Sequence, residues 1–333
     1  MKRRALLTSM LLVAAFGSAP ARGAEPIELR FAVSSSAQVF YNSQALIPWA
    51  KKVTEDSQGT LNVKLYFAGA LGRAGQFVDI VESGAADIAM DITSYYPGRF
   101  PQADVTYLPS LIGNDAAKAS DALWSMYEEG LFNRDFAGLK LLGIGTPTAA
   151  MLLTTEKPVK LPSDTVGLKI GAGGRMKAAI LDATGAAMIN LEAFNMYQPM
   201  ERGVVDGVIT HMTGVPPFRL YEIGKFYTMV PLGGSFTPVF MSQARFDSLP
   251  EPARHAIEIN SGAVLTKKLG AVWQKASDDG VAVVKRSGGT IIIPDEAEHE
   301  EWERKMQPVV QAWIKAGDDR QRIFDTLKAK LAQ

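Results

Sequence analysis

No cysteine occurs among the 333 residues. Disulfides, thiolate metal sites and cysteine nucleophiles are therefore excluded, and the fold rests on its apolar core. Histidine is scarce as well. His211, His255 and His299 are the three, and no two stand at a metal-binding spacing such as i, i+4. No Gly-x-Ser-x-Gly elbow occurs. An excess of one charge is also missing: 35 basic residues face 35 acidic ones. A general nucleic-acid binder needs a basic surface, so that class is disfavoured. Nowhere does an apolar run reach the roughly 18 residues of a membrane-spanning helix. What is present is an ordinary globular composition, 47% apolar and 21% charged, on a chain long enough for two domains.

The first residues read as an address and not as fold. Lys2, Arg3 and Arg4 precede a short apolar stretch from Ala5 to Phe16, and Ala19-Pro20-Ala21 and Ala21-Arg22-Gly23 offer small residues for a signal peptidase. The expectation is a signal peptide over 1–23, cleaved near residues 21–24, and a periplasmic protein with no membrane insertion. Arg3-Arg4 leaves Sec and twin-arginine export both open. Removing the segment takes away four basic side chains and leaves the remainder mildly acidic.

The remainder carries one pattern twice. Ile27–Val33 alternates like a strand, a helix runs from about Tyr41 to Gln58, Leu61–Phe67 is a second strand, Arg73–Ser83 a second helix, and Asp87 opens a third strand. Later, Val166–Ile170, Arg175–Thr184, Ala187–Leu191, Phe194–Arg202 and Val205–Ile209 repeat the order. The junctions match: Glu82-Ser-Gly84-Ala-Ala-Asp87 and Glu201-Arg-Gly203-Val-Val-Asp206. Two βαβαβ units imply an α/β protein of two parallel-sheet domains, with ligands at the carboxyl ends of the strands. Leu139–Gly145 leads from the first domain to the second, and Val205–Thr210 leads towards the return. The boundaries expected are 25–145 plus 209–246 for lobe I, 146–208 plus 247–290 for lobe II, one long bracing helix over 250–285, and C-terminal helices in 291–333.

Several stretches, in this order, resemble the solute-binding component of tripartite ATP-independent periplasmic (TRAP) transporters. They are Phe67-Ala-Gly-Ala-Leu-Gly72, Thr154-Thr-Glu-Lys-Pro-Val159, Gly167-Leu-Lys-Ile170, Gly203-Val-Val-Asp-Gly207 and Leu249-Pro-Glu251. The resemblance implies a two-lobed type II periplasmic-binding fold, its lobes joined by crossing hinge strands. It implies no catalysis and no cofactor, but closure on a small organic acid and delivery to a membrane permease driven by an ion gradient. A ligand that touches both lobes shifts the hinge equilibrium by its differential affinity. The chain departs from the family where an arginine usually clamps the ligand carboxylate: that position is Gly171. A second family arginine lines up with Met151, a pocket asparagine with Thr210, and a pocket acid with Ile92.

The likeliest substitute anchor is Arg175, at a helix start after Gly171-Ala-Gly173-Gly174, where free N–H groups and the dipole attract an anion. Thr210, His211 and Met212 follow a lobe II strand; Asp91, Ile92 and Tyr95 follow the equivalent lobe I strand. Gln38 and Phe40 lie beyond the first strand, Asn190 and Glu192 end another, Met151 lies at the hinge, and Phe236 follows Gly233-Gly234-Ser235. The expected ligand is a monocarboxylate, aromatic or a 2-oxo or 2-hydroxy acid. A neutral or cationic ligand held by Asp91 or Glu192 is the alternative. Gly171-Ala-Gly-Gly174 also resembles a dinucleotide fingerprint with Glu192 near the ribose distance, but position 176 is methionine and not the third glycine. A periplasmic enzyme or a ligand sensor using the same cleft stays open beside the transport receptor, and no metal site is specified.

Overall fold

The computed structural model describes residues 25–192 and 195–333, so the expected signal peptide lies outside the described residues. The first half folds as β1 (Ile27–Val33), α1 (Ile47–Asp56), β2 (Leu61–Tyr66), α2 (Phe77–Glu82), β3 (Ile88–Met90), α3 (Ala116–Glu128) and β4 (Leu139–Gly145). After the crossing come β5 (Ala150–Thr154), β6 (Lys169–Ala172), α4 (Arg175–Thr184), β7 (Ala187–Asn190), α5 (Tyr197–Glu201), β8 (Gly207–His211) and β9 (Phe226–Thr228). The chain then returns as β10 (Thr237–Ser242) and ends in α6 (Gln243–Asp247), α7 (Glu251–Asn260), α8 (Ala263–Arg286), β11 (Thr290–Ile292), α9 (Glu296–Lys315) and α10 (Arg320–Ala332).

Two sheets result, one per lobe. The first runs β2-β1-β3-β10-β4, with β1, β2 and β3 parallel and β10 antiparallel to both its neighbours. The second runs β11-β9-β5-β8-β6-β7, with β6, β7 and β8 parallel and β5 antiparallel to β8 and β9. In both, three parallel strands abut an antiparallel strand that has just crossed from the other lobe. The stretch 209–246 therefore divides. β8 and β9 pair within the second sheet, and only β10 joins the first. The return crossing lies at residues 229–236, after β9, because β8 is spent on hydrogen bonds to β5 and β6. The outward crossing, 146–149, runs beside it: Ala150 N–H donates to Gly233 O at 2.7 Å and Leu232 N–H to Ala150 O at 2.9 Å.

The repeated Glu-x-Gly-x-x-Asp junction does the same physical work twice. Gly84 and Gly203 both take positive φ, +73° and +67°, which glycine adopts without a Cβ clash. The aspartate that follows then pins the first strand of its own βαβαβ unit. Asp87 Oδ2 accepts from Arg30 N–H at 2.8 Å, and Asp206 Oδ2 accepts from Lys169 N–H at 2.7 Å. Asp87 is buried and carries more. Arg30 Nε donates to it at 3.0 Å and Arg245 Nε at 2.7 Å. Burial opposes its charge, but the Arg30 amide and the two guanidiniums outweigh burial and hold the carboxyl below its ordinary range.

The helix expected over 250–285 is two helices. Ser261 is extended and Gly262 has φ +66°, so the backbone breaks at this pair. Gly262 N–H donates to Leu142 O at 2.7 Å, and a Cβ there would stand 3.1 Å from the Trp124 ring. The chain turns in to meet β4, and side-chain periodicity alone does not register such a turn. Ala253, Ala256 and Ile257 of α7, and Leu265, Leu269 and Trp273 of α8, join the lobe I core and not that of lobe II. Bracing falls to α8, roughly 36 Å long at 1.5 Å per residue. Its first half lies on β4, where Gly143 and Gly145 leave room for Leu265 and Trp273. Its last turns reach lobe II, where Gly280 lets the Met212 carbonyl approach. α9 also crosses: Trp302 Nε1 donates to Lys160 O at 2.8 Å in lobe II, while Val310 and Trp313 pack with Ile323 and Leu327 of α10 in lobe I.

Asp87→Ala strands two guanidiniums and a strand amide, and is expected to cost about 2–4 kcal/mol in urea unfolding; exposed Asp206→Ala should cost about 1 kcal/mol. Because the folded-state pKa of Asp87 is depressed, its contribution is complete above the ordinary carboxylate range and is lost as pH falls through the folded value. The gap between wild type and Asp87→Ala should therefore narrow on acidification.

Candidate functional site

The carboxyl ends of β1 and β3 carry the loops 34–40 and 91–95, and those of β6 and β8 carry 173–177 and His211. One contact sets these edges against each other. Arg175 of α4 reaches Asp104 of lobe I at 3.7 Å. Tyr95, on the turn after β3, has its hydroxyl pushed up to about 12 by burial, then by the charges of Asp91, Tyr107 and Tyr41 in its own lobe and of Glu192 in the other. The candidate site lies between these two edges.

On the lobe II side, the site is built by the start of α4. Gly174 caps the helix at φ +92°, with no atom within 4 Å of where a Cβ would stand. The first turn that follows holds no acidic residue. It holds Arg175 and Lys177 instead, two cations where the helix dipole is already positive. The Arg175 side chain is 82% exposed and leans to Asp104 across the cleft mouth, so it is a clasp between lobes more than a pocket wall. Lys177 is half-buried, and burial pushes it down to about 8. Among the described residues it has no hydrogen-bond or ion-pair partner. Lys177 was not singled out from the sequence. The signal available was its place: a lysine in a first helical turn, following an arginine and two glycines, is electrostatically unfavourable without an anion.

On β8, which pairs in parallel with β6, His211 ends the strand and is half-buried. Its Nδ1 lies 2.8 Å from the carbonyl of Thr148. A carbonyl only accepts, so Nδ1–H donates and Nε2 carries the lone pair. Burial, and then the charge of Lys177, push His211 down to about 3, so the ring is neutral.

The other expected site residues divide between the strand ends and the core. Gly171 is closed off: a Cβ there would meet the Leu191 side chain at 2.5 Å and Val208 at 3.0 Å. Leu191 fills the room that a longer side chain at 171 would take. Gly173 keeps one carbonyl, of Leu191, at 3.1 Å from its Cβ direction. Met151 and Met212 are 1% and 0% exposed in the lobe II core, and Phe236 is 0% exposed, packed on Phe132 and Phe136. These three serve packing, because apolar side chains at strand ends turned into the layers behind the sheets. Thr210 is buried on β8 opposite Met151. Asp91 is buried with its oxygens occupied: Tyr96 O–H donates at 2.6 Å, Gly75 N–H at 2.8 Å and its neighbour Ile92 N–H at 2.9 Å. It anchors the loop around Gly75 and offers little to a cationic ligand. Tyr95, Asn190 and Glu192 are exposed at the strand ends and Ile92 is half-buried. Gln38 is exposed, while Phe40 stands edge-on to Trp273 at 4.7 Å and to Tyr41 at 5.2 Å. Among the described residues, no group of His, Cys, Asp and Glu is arranged to hold a metal ion, and no helix is long and apolar enough to cross a membrane.

Comparison with known proteins gives a consistent result. The model of bacterial extracellular solute-binding protein, family 7, matches residues 33–316. A curated solute-binding protein of Albidiferax ferrireducens is 25% identical over 329 residues, covering 91% of each chain. Two solved structures superpose over 92% of this chain. One is a TRAP solute-binding protein from an unidentified marine microbe, specific for aromatic acid ligands and co-crystallised with 3-hydroxybenzoate: 26% identity, 98% of its length, TM-score 0.84. The other is a TRAP protein of Bordetella bronchiseptica with bound (R)- and (S)-mandelate: 26% identity, 99% of its length, TM-score 0.81.

Since Leu191 occupies the space beside position 171, Gly171→Arg is expected to overpack the sheet and cost about 1–3 kcal/mol. Gly171→Arg with Leu191→Ala should recover part of that loss in thermal unfolding; a single variant as stable as wild type contradicts the packing described.

Proposed function

The chain belongs to family 7 of the bacterial extracellular solute-binding proteins, and on that premise we propose that it is an exported receptor that closes two lobes on a small organic monocarboxylate and hands it to a TRAP permease. Lys177 supplies the counter-charge. The observation that carries this reading is the first turn of α4, with two cations, no acid and free amides around an open Gly174. A carboxylate there relieves the repulsion and satisfies the amides together. Aromatic acids are the favoured class, because the similar structures bind 3-hydroxybenzoate and mandelate and Tyr95 presents a ring at the facing edge.

Several finer points belong to the same proposal. The protein is periplasmic, with a signal peptide over 1–23, and it acts by binding without a catalytic step. The lobes follow the two sheets, crossing at 146–149 and 229–236. Arg175, given the anchoring role from sequence, instead ties Asp104 to the closing lobe. Gly173, Gly174, Thr210, Ile92, Asn190, Glu192, Gln38 and Phe40 surround or border the cleft without carrying the charge.

Lys177→Met is expected to weaken binding of benzoate or mandelate by about 10–100-fold, the worth of a charge-assisted hydrogen bond. The empty protein should become slightly more stable, because an unpaired half-buried cation is gone. Arg175→Ala should change affinity by less than about threefold. An acid that binds Lys177→Met as well as wild type rejects this anchor. Wild-type affinity should also fall above about pH 8, where the empty protein's Lys177 loses its proton, by up to tenfold per pH unit.

A further inference from the structure

We infer that the ligand carries a hydroxyl group beside its carboxylate and that His211 Nε2 accepts a hydrogen bond from it, so that the receptor selects hydroxy acids over the corresponding oxo acids. This rests on Lys177 as the partner of the carboxylate. The argument starts at the Thr148 carbonyl, which accepts from His211 Nδ1 at 2.8 Å. That carbonyl cannot turn away. Thr148 Oγ1 is hydrogen-bonded to Ser277 of α8 at 2.9 Å, and the next residue, Ala149, donates its N–H to Gly113 O at 2.8 Å. The tautomer is thereby set: a neutral imidazole has one N–H, and Thr148 takes it.

The remaining ring nitrogen is an acceptor. Nε2 has no hydrogen-bond partner among the described residues, and β8, which ends at His211, pairs in parallel with β6, whose carboxyl end leads through Gly173 and Gly174 into the helix turn that carries Lys177. A group next to a carboxylate held by Lys177 therefore meets a lone pair. A hydroxyl donates to it. A keto oxygen has no hydrogen to give and sets two lone pairs against each other. A methylene leaves Nε2 unpaired as closure removes water. Sites built around one hydrogen bond discriminate strongly against analogues that cannot make it.

The test is calorimetric binding of mandelate, phenylglyoxylate and phenylacetate, three acids that differ only in what the 2-position carries. Mandelate is expected to bind at least about tenfold tighter than phenylglyoxylate. In His211→Asn the amide can still donate to Thr148 O but nothing stands where Nε2 was, and the preference should fall below about twofold. Equal or tighter binding of phenylglyoxylate to wild type overturns the inference, as does a preference that survives in His211→Asn. If none of the acids binds, nor 3-hydroxybenzoate or benzoate, the aromatic-acid reading of the proposed function fails, and this inference with it. Should His211→Asn not fold, the wild-type chain decides by nitrogen-15 NMR, with only three histidines to assign. The bare-nitrogen resonance of His211 should shift with mandelate and stay in place with phenylacetate; no shift with mandelate overturns the inference.

Discussion

An uncompensated positive charge at the amino end of α4 is the constraint around which this cleft is organised. The helix dipole is positive there, no acidic residue stands in the first turn, and Arg175 and Lys177 both do. Arg175 finds relief at the surface, by solvent and by Asp104 across the mouth. Lys177 is half-buried and has neither remedy, and burial pushes its pKa down to about 8 while leaving it largely charged at neutral pH. Such an arrangement is destabilising in the empty protein and becomes favourable when a carboxylate enters. Binding energy is thus stored in the free receptor as an unmet electrostatic demand.

The rest of the architecture serves that corner. Asp87 and Asp206 each pin the first strand of a βαβαβ unit, so the loops at the carboxyl ends leave rigid sheets. The two crossings run side by side and are hydrogen-bonded to each other, a narrow connection about which the lobes can rotate. α8 and α9 span both lobes and limit that rotation. His211 is fixed to the outward crossing through Thr148, and Thr148 to α8 through Ser277. The polar groups proposed to meet a ligand are therefore attached to the elements that join or span the lobes. Ligand contact and closure are coupled through the same hydrogen bonds.

Much of this was legible in the residues. β1 begins and ends where alternation places it, β4 covers the stretch expected to lead out of the first domain, α4 starts at Arg175 after its glycines, and the doubled Glu-x-Gly-x-x-Asp junction announces two equivalent lobes. The break at Ser261-Gly262 was not, because Ala256, Ile259, Ala263, Leu269 and Trp273 keep helical spacing across it, and only a hydrogen bond to distant Leu142 explains the turn. The end of β8 and all of β9 were given to the other lobe for the same reason: their partners are remote in sequence. Met151, Met212 and Phe236 illustrate the limit at the site, since an apolar residue at a strand end reads alike whether it lines a cleft or fills a core. Lys177 was not singled out, although its position against the dipole was visible. The tautomer of His211 depends on Thr148, 63 residues away, and no local pattern encodes it.

The most direct test of the account is proton uptake on binding. Calorimetric titration of mandelate at pH 8, in buffers of different ionisation enthalpy, counts protons taken up per ligand bound. A Lys177 that is about half protonated when empty and fully protonated against a carboxylate gives roughly 0.5 proton per ligand, and none in Lys177→Met. Tight binding with no proton uptake in the wild-type chain would contradict the claim that Lys177 is the partner of the acid.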